Sequence, residues 1–436
     1  MAGAAARAFC CKWGIGAQSA RAFPMSKKTR NHIIALACLL AFLAVGVLFY
    51  VNWVVQKPFA IILFLTDNLT TSTLAATRIY ENGADNRLNL ERLPHLGLIT
   101  THAADFAVSD PAAAATAVAT GIKVNNRSMG VDSAGQPLEN LFDLARKAGR
   151  ATGLITNAAI SDTTPAAFYA KSGNPQDSET IAAQLVETAN IDVVLGGGQA
   201  DFLPEHQQGR RKDGRDLLLE MRRKGYDIAQ NKSELENTPA WRAPKLLGVF
   251  SSGNLAFADE IQSAGGQPDL AGMVRAAIQL LQYNRKGYLL VVDSGLVGKA
   301  AAQNEGERML RELIALDQAV ASAVSFAGAG SLILVVGKQS VGGLRLNGYP
   351  FRDDKGVSVV GINSQGIPSM TWSTGPGTAA VGTGEVSPAS EPSAVPAPVA
   401  IGVAEDGIVA GVGPGSEQLQ GFKDNTDVYR VISKNL

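Results

Sequence analysis

Apolar residues along the chain after about residue 58 follow two kinds of pattern. Short, continuously apolar runs rich in β-branched residues alternate with segments that have the spacing of amphipathic helices. The runs are AIILFLT (60–66), TGLIT (152–156), DVVLGGG (192–198), YLLVVD (288–293) and SLILVVG (331–337). Strands that are apolar on both faces are typical of a parallel sheet covered by helices on each side. The pattern therefore predicts an α/β fold with a central, mostly parallel β-sheet flanked by helices on both faces.

The helix-like segments carry ordinary start and stop signals. Residues 138–150 have one apolar stripe and a C-terminal stop at Gly149, and residues 304–328 form the longest such segment. Residues 374–400 are a mixture of Pro, Ala, Ser and Gly without periodicity, which predicts a low-complexity surface loop inside the domain. The segment at 407–415 is interpreted as a closing strand.

The first apolar run is different, because it is long enough to cross a membrane. Residues 33–51 are 19 residues without a charge, close to the ~20 that span a bilayer as a helix. We predict a transmembrane anchor over 33–55. A cleaved signal peptide is the alternative, but the run exceeds the ~7–15 apolar residues of a signal sequence and no small-residue cleavage site follows it.

Basic residues set the expected orientation of this anchor. Lys27, Lys28 and Arg30 precede it, and Lys57 alone follows closely, so the positive-inside rule predicts a cytoplasmic tail over residues 1–32. The chain would then be a single-pass inner-membrane protein with a periplasmic, or more generally extracytoplasmic, domain at 58–436. Met25 is an alternative start of translation.

Charge and cysteine content limit the classes of partner. Lys and Arg number 39, and Asp and Glu also number 39, so no net field favours nucleic acid, and we predict no nucleic-acid partner. The three cysteines precede or lie within the first apolar run, which leaves the predicted domain without a thiolate for metal binding or catalysis.

The residues that follow the predicted strands are the candidates for chemistry, because ligands of parallel α/β sheets lie at the carboxyl ends of strands. Here they include TDNLT after the first strand, VSDPAAAATAVATGIKVNNRSMGVDSAGQPLENLFDLARKAG (108–149) and ATGLITNAAISDTTPAAFYA (151–170). In this order the segments resemble the alkaline phosphatase family. The resemblance covers roughly residue 59 to the C-terminus and implies that family's fold, a dimeric state and a two-zinc phosphomonoesterase site.

The family's nucleophile is the serine that follows an aspartate at a helix start. The resemblance maps this serine to Pro111, after Asp110, and proline has no nucleophilic atom. Asp110 and Pro111 are instead a favourable helix start, and the neighbouring Ser109 is expected to point elsewhere. The phosphate-clamping arginine is also missing, since no arginine occurs between residues 151 and 208.

The zinc ligands implied by the family are absent as well. The chain has only His32, His95, His102 and His206, and the family places three histidine ligands in the second half of the sequence. The positions that match the family's zinc ligands are Gly298, Ala302, Lys338, Gln339 and, in a less certain register, Gly402. We therefore predict that zinc is not a cofactor.

Four oxygen-bearing residues match the family's magnesium site by the same resemblance. They are Asp67, Asp162, Thr164 and Asp293, the last being one methylene shorter than the family's glutamate. This set predicts magnesium as the one candidate cofactor. We expect Lys338 to act as a substitute cation that pairs with Asp67 or Asp110, because an unpaired buried carboxylate costs several kcal/mol.

Two functions follow from these residues. The first is a membrane-anchored, catalytically inactive pseudophosphatase that has a scaffold role in the cell envelope or binds an envelope protein or a small anion. The alternative is a phosphate ester hydrolase that uses magnesium alone and water as its nucleophile.

Overall fold

The structure, a computed structural model, describes residues 26–49, 58–239, 245–328, 330–347, 351–356, 359–362, 367–377 and 391–436. It separates into two compact units, Met1–Gln56 and Lys57–Leu436. The predicted tail up to residue 25, with Met25, and the end of the predicted anchor at 50–55 lie outside the described residues.

The first unit contributes one described helix, α1 (Lys27–Phe49). Its segment Lys27–Leu48 has a mean hydropathy of 2.3, and none of it is buried by the rest of the chain. By length and composition it is able to cross a membrane, and an N-terminal signal sequence has the same properties.

The second unit alternates strands and helices along most of its length, as predicted. The strands are β1 (Ala60–Asp67), β2 (His95–Thr100), β3 (Ala151–Ala159), β4 (Val193–Gly197), β5 (Asp227–Ala229), β6 (Leu246–Val249), β7 (Tyr288–Ser294), β8 (Leu332–Val341), β9 (Arg345–Leu346), β10 (Met370–Gly375), β11 (Ser393–Pro396), β12 (Gly402–Val403), β13 (Gly407–Val412) and β14 (Gly421–Asp424). The helices are α2 (Thr71–Asn82), α3 (Pro111–Thr120), α4 (Leu141–Lys147), α5 (Thr163–Ala166), α6 (Ser178–Gln184), α7 (Leu217–Arg223), α8 (Lys232–Glu236), α9 (Leu270–Leu281), α10 (Gly295–Ala302), α11 (Gly306–Phe326) and α12 (Thr426–Asn435).

The central sheet has the strand order β14-β2-β13-β8-β1-β7-β3-β4-β6-β5, with β12 paired to β8. Strands β1, β3, β4, β5, β6, β7 and β8 pair in parallel, whereas β13 runs antiparallel to both β8 and β2. The mostly parallel sheet is as predicted. The predicted closing strand at 407–415 is β13, which lies inside the sheet rather than at its edge.

Both faces of the sheet are covered, which explains why its strands read as continuous apolar runs. In β1, Ala60, Ile62 and Phe64 pack into one hydrophobic core, and Ile61, Leu63 and Leu65 pack into the other. All of these side chains are fully buried. A strand with two buried faces has no position for an exposed polar residue until it ends. The first polar side chains after such a run therefore mark the carboxyl edge of the sheet.

The segment at 374–400 is not a loop throughout. Strand β11 lies within it and pairs in parallel with β10, and β9 completes a second, three-stranded sheet. Backbone pairing with β10 organises this part of the segment despite its low-complexity composition, a feature that composition alone does not report. Residues 378–390 of the predicted loop lie outside the described residues.

Candidate functional site

A cavity of about 380 Å³ opens at the carboxyl edge of the sheet, where β1, β3, β7 and β8 end. Most of the residues that the sequence singled out share this one cavity. Those that line it are Asp67, Asp110, Pro111, Asp162, Thr164, Asp293, Gly298, Ala302, Gln339 and Gly402. Lys338 is fully buried and contacts the cavity through Asp67. The order of the strands brings together positions up to 335 residues apart in sequence.

The nucleophile position is built into a helix start. Asp110 is the N-cap of α3 and Pro111 is its first residue. One carboxylate oxygen of Asp110 accepts the backbone N–H of Ala113 at 2.8 Å, and the other accepts that of Arg127 at 2.6 Å. Both oxygens are thus held by backbone donors, as expected of a capping residue. Asp110 and Pro111 therefore start the helix and provide no nucleophilic atom.

Ser109 corrects one expectation, because it lines the cavity instead of pointing elsewhere. Its side chain is 4% exposed, and its Oγ has no hydrogen-bond partner. Residue spacing alone does not reveal this position, which follows from the extended backbone of the neighbouring cap residue Asp110. Because no base accepts the proton of this hydroxyl, Ser109 has none of the activation that a serine nucleophile needs.

Lys338 forms a buried ion pair with Asp67. The pairing of β1 with β8 shifts its register at this point: Thr66 lies opposite Gly337, but Asp67 lies opposite Gln339. The irregularity leaves Lys338 as an extra residue on β8, and such bulges re-aim side chains next to functional sites. Of the two carboxylates that the sequence offered as partners of Lys338, Asp67 pairs with its ammonium group. Asp110 instead caps helix α3.

Gly298 in α10 provides the space that the Asp67 carboxylate occupies. A Cβ atom added at residue 298 would lie within the van der Waals surface of Asp67 Oδ2. The carboxylate of Asp67 therefore lies against the helix backbone, and a side chain at residue 298 would collide with it.

A second lysine, Lys299, enters the site and was missed by the sequence reasoning. Its ammonium group lies 2.6 Å from Asp162 Oδ2, and its side chain is 45% exposed. Burial lowers the pKa of Lys299, but the carboxylates of Asp162, Asp67 and Asp293 together more than offset this, and the pKa is raised. The signal was available, since Lys299 stands between Gly298 and Ala302, two positions that the resemblance assigns to zinc ligands.

Asp293 is the most deeply buried carboxylate of the cavity, at 1% exposure. Its Oδ2 accepts a hydrogen bond of 2.7 Å from Thr156 Oγ1, and its Oδ1 has no partner. Burial raises the pKa of Asp293 to about 7, against the lowering effects of Lys338 and of the Thr156 hydroxyl. Asp67 and Asp162 raise this pKa further, so the three carboxylates interact through the cavity.

These residues do not fit a zinc pair. Gly298, Ala302 and Gly402 have no donor atom in their side chains, Gln339 presents a neutral amide, and Lys338 presents a cation. Within the parts of the chain that the structure describes, no group of three or more His, Cys, Asp or Glu side chains is placed to hold a metal ion.

The magnesium set is only partly free for a metal. Asp67 holds the ammonium group of Lys338 and Asp162 holds that of Lys299, so Asp293 and Thr164 are the two predicted ligands outside these ion pairs. Mg²⁺ requires near-octahedral oxygen ligation, and the two predicted ligands that remain outside the ion pairs fall short of it. In this arrangement the residues do not fit a magnesium ion.

The histidines lie away from the cavity lining. His95 is bonded through Nδ1 to Ser416 at 2.8 Å, His102 is exposed near Asp424, and His206 is exposed in a short helical turn. Among the described residues no arginine lines the cavity, so Lys299 is the one cationic side chain on its wall.

A buried glutamate supports the helix that carries Gly298 and Lys299. Asn157 Oδ1 accepts the N–H of Leu296 in the first turn of α10, and Asn157 Nδ2 donates to Glu312 Oε2 at 3.0 Å. Glu312 is 1% exposed, and burial raises its pKa to about 7. The amphipathic pattern of α11 did not single out Glu312, because its periodicity shows a buried position without showing its partner.

Comparison with known proteins agrees with the family resemblance seen in the sequence. The alkaline phosphatase family matches residues 59–436. Alkaline phosphatase 4 of Bacillus subtilis (strain 168) is 31% identical over 287 residues, which cover 63% of this chain and 59% of that protein. The human tissue-nonspecific alkaline phosphatase is 27% identical over 376 residues, covering 74% of this chain and 71% of the human one. The membrane-bound alkaline phosphatase of Bombyx mori is 28% identical over 371 residues, covering 73% and 67%.

Solved structures show the same fold. The alkaline phosphatase of the Antarctic bacterium TAB5 superposes with a TM-score of 0.69 at 22% identity, covering 87% of this chain and 98% of that chain. The Thermus thermophilus alkaline phosphatase gives a TM-score of 0.70 at 24% identity, covering 87% and 92%.

Proposed function

The chain belongs to the alkaline phosphatase family, and from that premise we propose that it is a catalytically inactive member, a pseudophosphatase whose domain binds rather than hydrolyses. Family membership tells which fold the chain has and that its cavity is related to the active site of the family. Activity depends on the residues inside the cavity, where this chain carries different chemistry.

One observation carries the proposal: the buried Lys338 ammonium group lies on Asp67 in the cavity. A carboxylate that pairs with an ammonium group has its charge balanced and one oxygen engaged, which makes it a weaker ligand for a divalent cation. Lys299 does the same to Asp162. Two fixed monovalent cations thus stand beside the carboxylates, and neither can activate a water molecule as a bound metal does.

The nucleophile and the phosphate clamp are missing independently. Pro111 has no hydroxyl, and Ser109 has a hydroxyl without a base. A phosphoryl group entering the cavity would meet no arginine on the described walls and one lysine that is already paired. Loss of nucleophile, metal ligands and clamp together removes each component that lowers the barrier to phosphate ester cleavage.

Localisation is part of the proposal. Helix α1 would serve as a single-pass anchor, with Lys27, Lys28 and Arg30 on the cytoplasmic side and the domain on the extracytoplasmic side. The membrane-bound Bombyx mori relative is consistent with such an arrangement.

The test is turnover of a chromogenic phosphomonoester by the full chain, purified in non-ionic detergent, with and without added Zn²⁺ and Mg²⁺. The Bacillus subtilis relative, assayed in parallel, is the positive control. We expect no turnover above that of the detergent buffer under any metal condition. Metal-dependent turnover that disappears in Asp67→Asn would overturn the proposal in favour of the hydrolase, since a contaminating phosphatase would not respond to that substitution.

A further inference from the structure

We propose that this cavity binds the ammonium group of a small amino alcohol and disfavours phosphate, an inference that rests on the proposed function because it assigns a ligand to the same cavity.

The charges of the cavity do not balance. Four carboxylates line it and two ammonium groups contact them, which gives a formal charge of −2 with every group ionised. The four carboxylates belong to Asp67, Asp110, Asp162 and Asp293, and the two ammonium groups belong to Lys299 and Lys338. Two lysines carry less positive charge than two divalent metal ions would. They therefore do not balance the four carboxylates of the cavity.

Two of the four carboxylates contact no lysine. Asp67 and Asp162 each contact one, whereas Asp110 accepts hydrogen bonds from uncharged backbone N–H groups. Asp293 is 1% exposed and has an oxygen without any partner. A phosphate dianion in the cavity would lie among these carboxylates, and the repulsion between like charges opposes its binding. The charge balance therefore favours a cation over the small anion that the sequence predicted.

Unpartnered polar atoms give a second, independent indication of a ligand. Ser109 Oγ and Gln339 Nε2 have no hydrogen-bond partner, although both residues line the cavity and are 4% exposed. Buried polar groups are normally hydrogen-bonded. A hydroxyl close to the ammonium group of the ligand both donates and accepts, so it can satisfy a serine hydroxyl and an amide N–H. A cavity of about 380 Å³ lies in the size range of small-ligand sites.

Lys299 provides the decisive test, because its side chain is half-exposed. Lys299→Met makes the formal charge of the cavity −3 and frees Asp162, so the amine should bind roughly tenfold more tightly. Asp162→Asn makes the charge −1 and frees Lys299, so the amine should bind roughly tenfold more weakly. Misfolding would weaken binding in both variants and could not produce the gain.

The measurement is the shift of the thermal unfolding midpoint of the full chain in non-ionic detergent with a chelator present, titrated with 2-aminoethanol, ethylamine or inorganic phosphate. Lys147→Met is the matched control, because Lys147 pairs with Glu139 at the surface and lies outside the cavity lining. We expect a saturable upward shift with 2-aminoethanol, a smaller one with ethylamine and none with phosphate, with Lys147→Met unchanged.

Two results would overturn the inference: stabilisation by phosphate, or an amine shift that is the same in Lys299→Met and Asp162→Asn as in the unaltered chain. Its failure is distinguishable from that of the proposed function, because hydrolysis is measured separately. A chain that neither hydrolyses phosphomonoesters nor binds amines retains the proposed inactivity and loses only this ligand.

Discussion

The Asp67 carboxylate lies against the backbone of Gly298, in the space that a side chain at residue 298 would need. A Cβ at residue 298 would therefore collide with the carboxylate that pairs with Lys338.

Gly298→Ala should therefore destabilise the domain. Helix propensity alone would make alanine in α10 about 1 kcal/mol more favourable. We expect instead a loss of about 1–3 kcal/mol in the free energy of unfolding, because the added methyl group displaces Asp67 from its ion pair. Urea unfolding of the full chain measures the change. Gly173→Ala is the control, since Gly173 is exposed and a Cβ there meets nothing within 4 Å. Equal effects at the two positions would contradict this account.

Lys338→Met should cost about 3–5 kcal/mol, because it leaves the Asp67 carboxylate buried without a partner. The double variant Asp67→Asn with Lys338→Met should recover most of this loss, since neither charge is then buried. The surface pair of Lys147 and Glu139, with side chains 70% and 46% exposed, is the comparison, and Lys147→Met should change stability by less than about 1 kcal/mol. A double variant no more stable than Lys338→Met would show that the two residues do not act as a pair.

Chelation should leave the thermal unfolding midpoint of the chain unchanged. The lysines that contact Asp67 and Asp162 belong to the chain itself, so no metal is needed to neutralise these carboxylates. A ligand that binds only the folded state at a hundred times its Kd stabilises by about 2.7 kcal/mol, a shift that thermal unfolding detects easily. Such a shift on adding Zn²⁺ or Mg²⁺ would contradict the prediction.

Restoring the family's serine with Pro111→Ser should not produce phosphatase activity. The new hydroxyl would stand at the start of α3, but the residues around it fit neither a zinc pair nor a phosphate clamp. Chromogenic turnover of the variant, with and without Zn²⁺, tests this. Turnover above that of the unaltered chain would show that the nucleophile was the only missing component.

Stability should fall as pH rises from about 4.5 to about 7, in part because of Glu312. Burial raises its pKa from 4.5 to about 7 in the folded chain, so the folded state holds a proton that the unfolded state has released over this interval. The resulting loss in the free energy of unfolding is complete above pH 7 and amounts to about 3 kcal/mol. Glu312→Gln cannot ionise, so the stability of the unaltered chain relative to this variant should decline across the interval and level off above it. Parallel curves from pH 4.5 to 8 would contradict the assignment.

The fold was predictable from sequence because its signals are local. Buried parallel strands must be apolar on both faces, so β1, β3, β4, β7 and β8 appear as uninterrupted runs at their observed positions. The order of segments after those strands led to the correct family. Strand β11 was missed, because its pairing with β10 depends on a distant partner and its own composition resembles a loop.

The sequence by itself determined what this cavity lacks. A proline at residue 111, where the resemblance places the nucleophile, and a second half without histidine are features of the sequence that no tertiary arrangement can alter. Only the tertiary structure decided what the remaining groups do. The bulge at Lys338 directs its ammonium group to Asp67, α10 brings Lys299 to Asp162, and Ser109 turns into the cavity. Ion pairs depend on distances of a few ångströms between groups far apart in sequence, and those distances exist only once the sheet has formed.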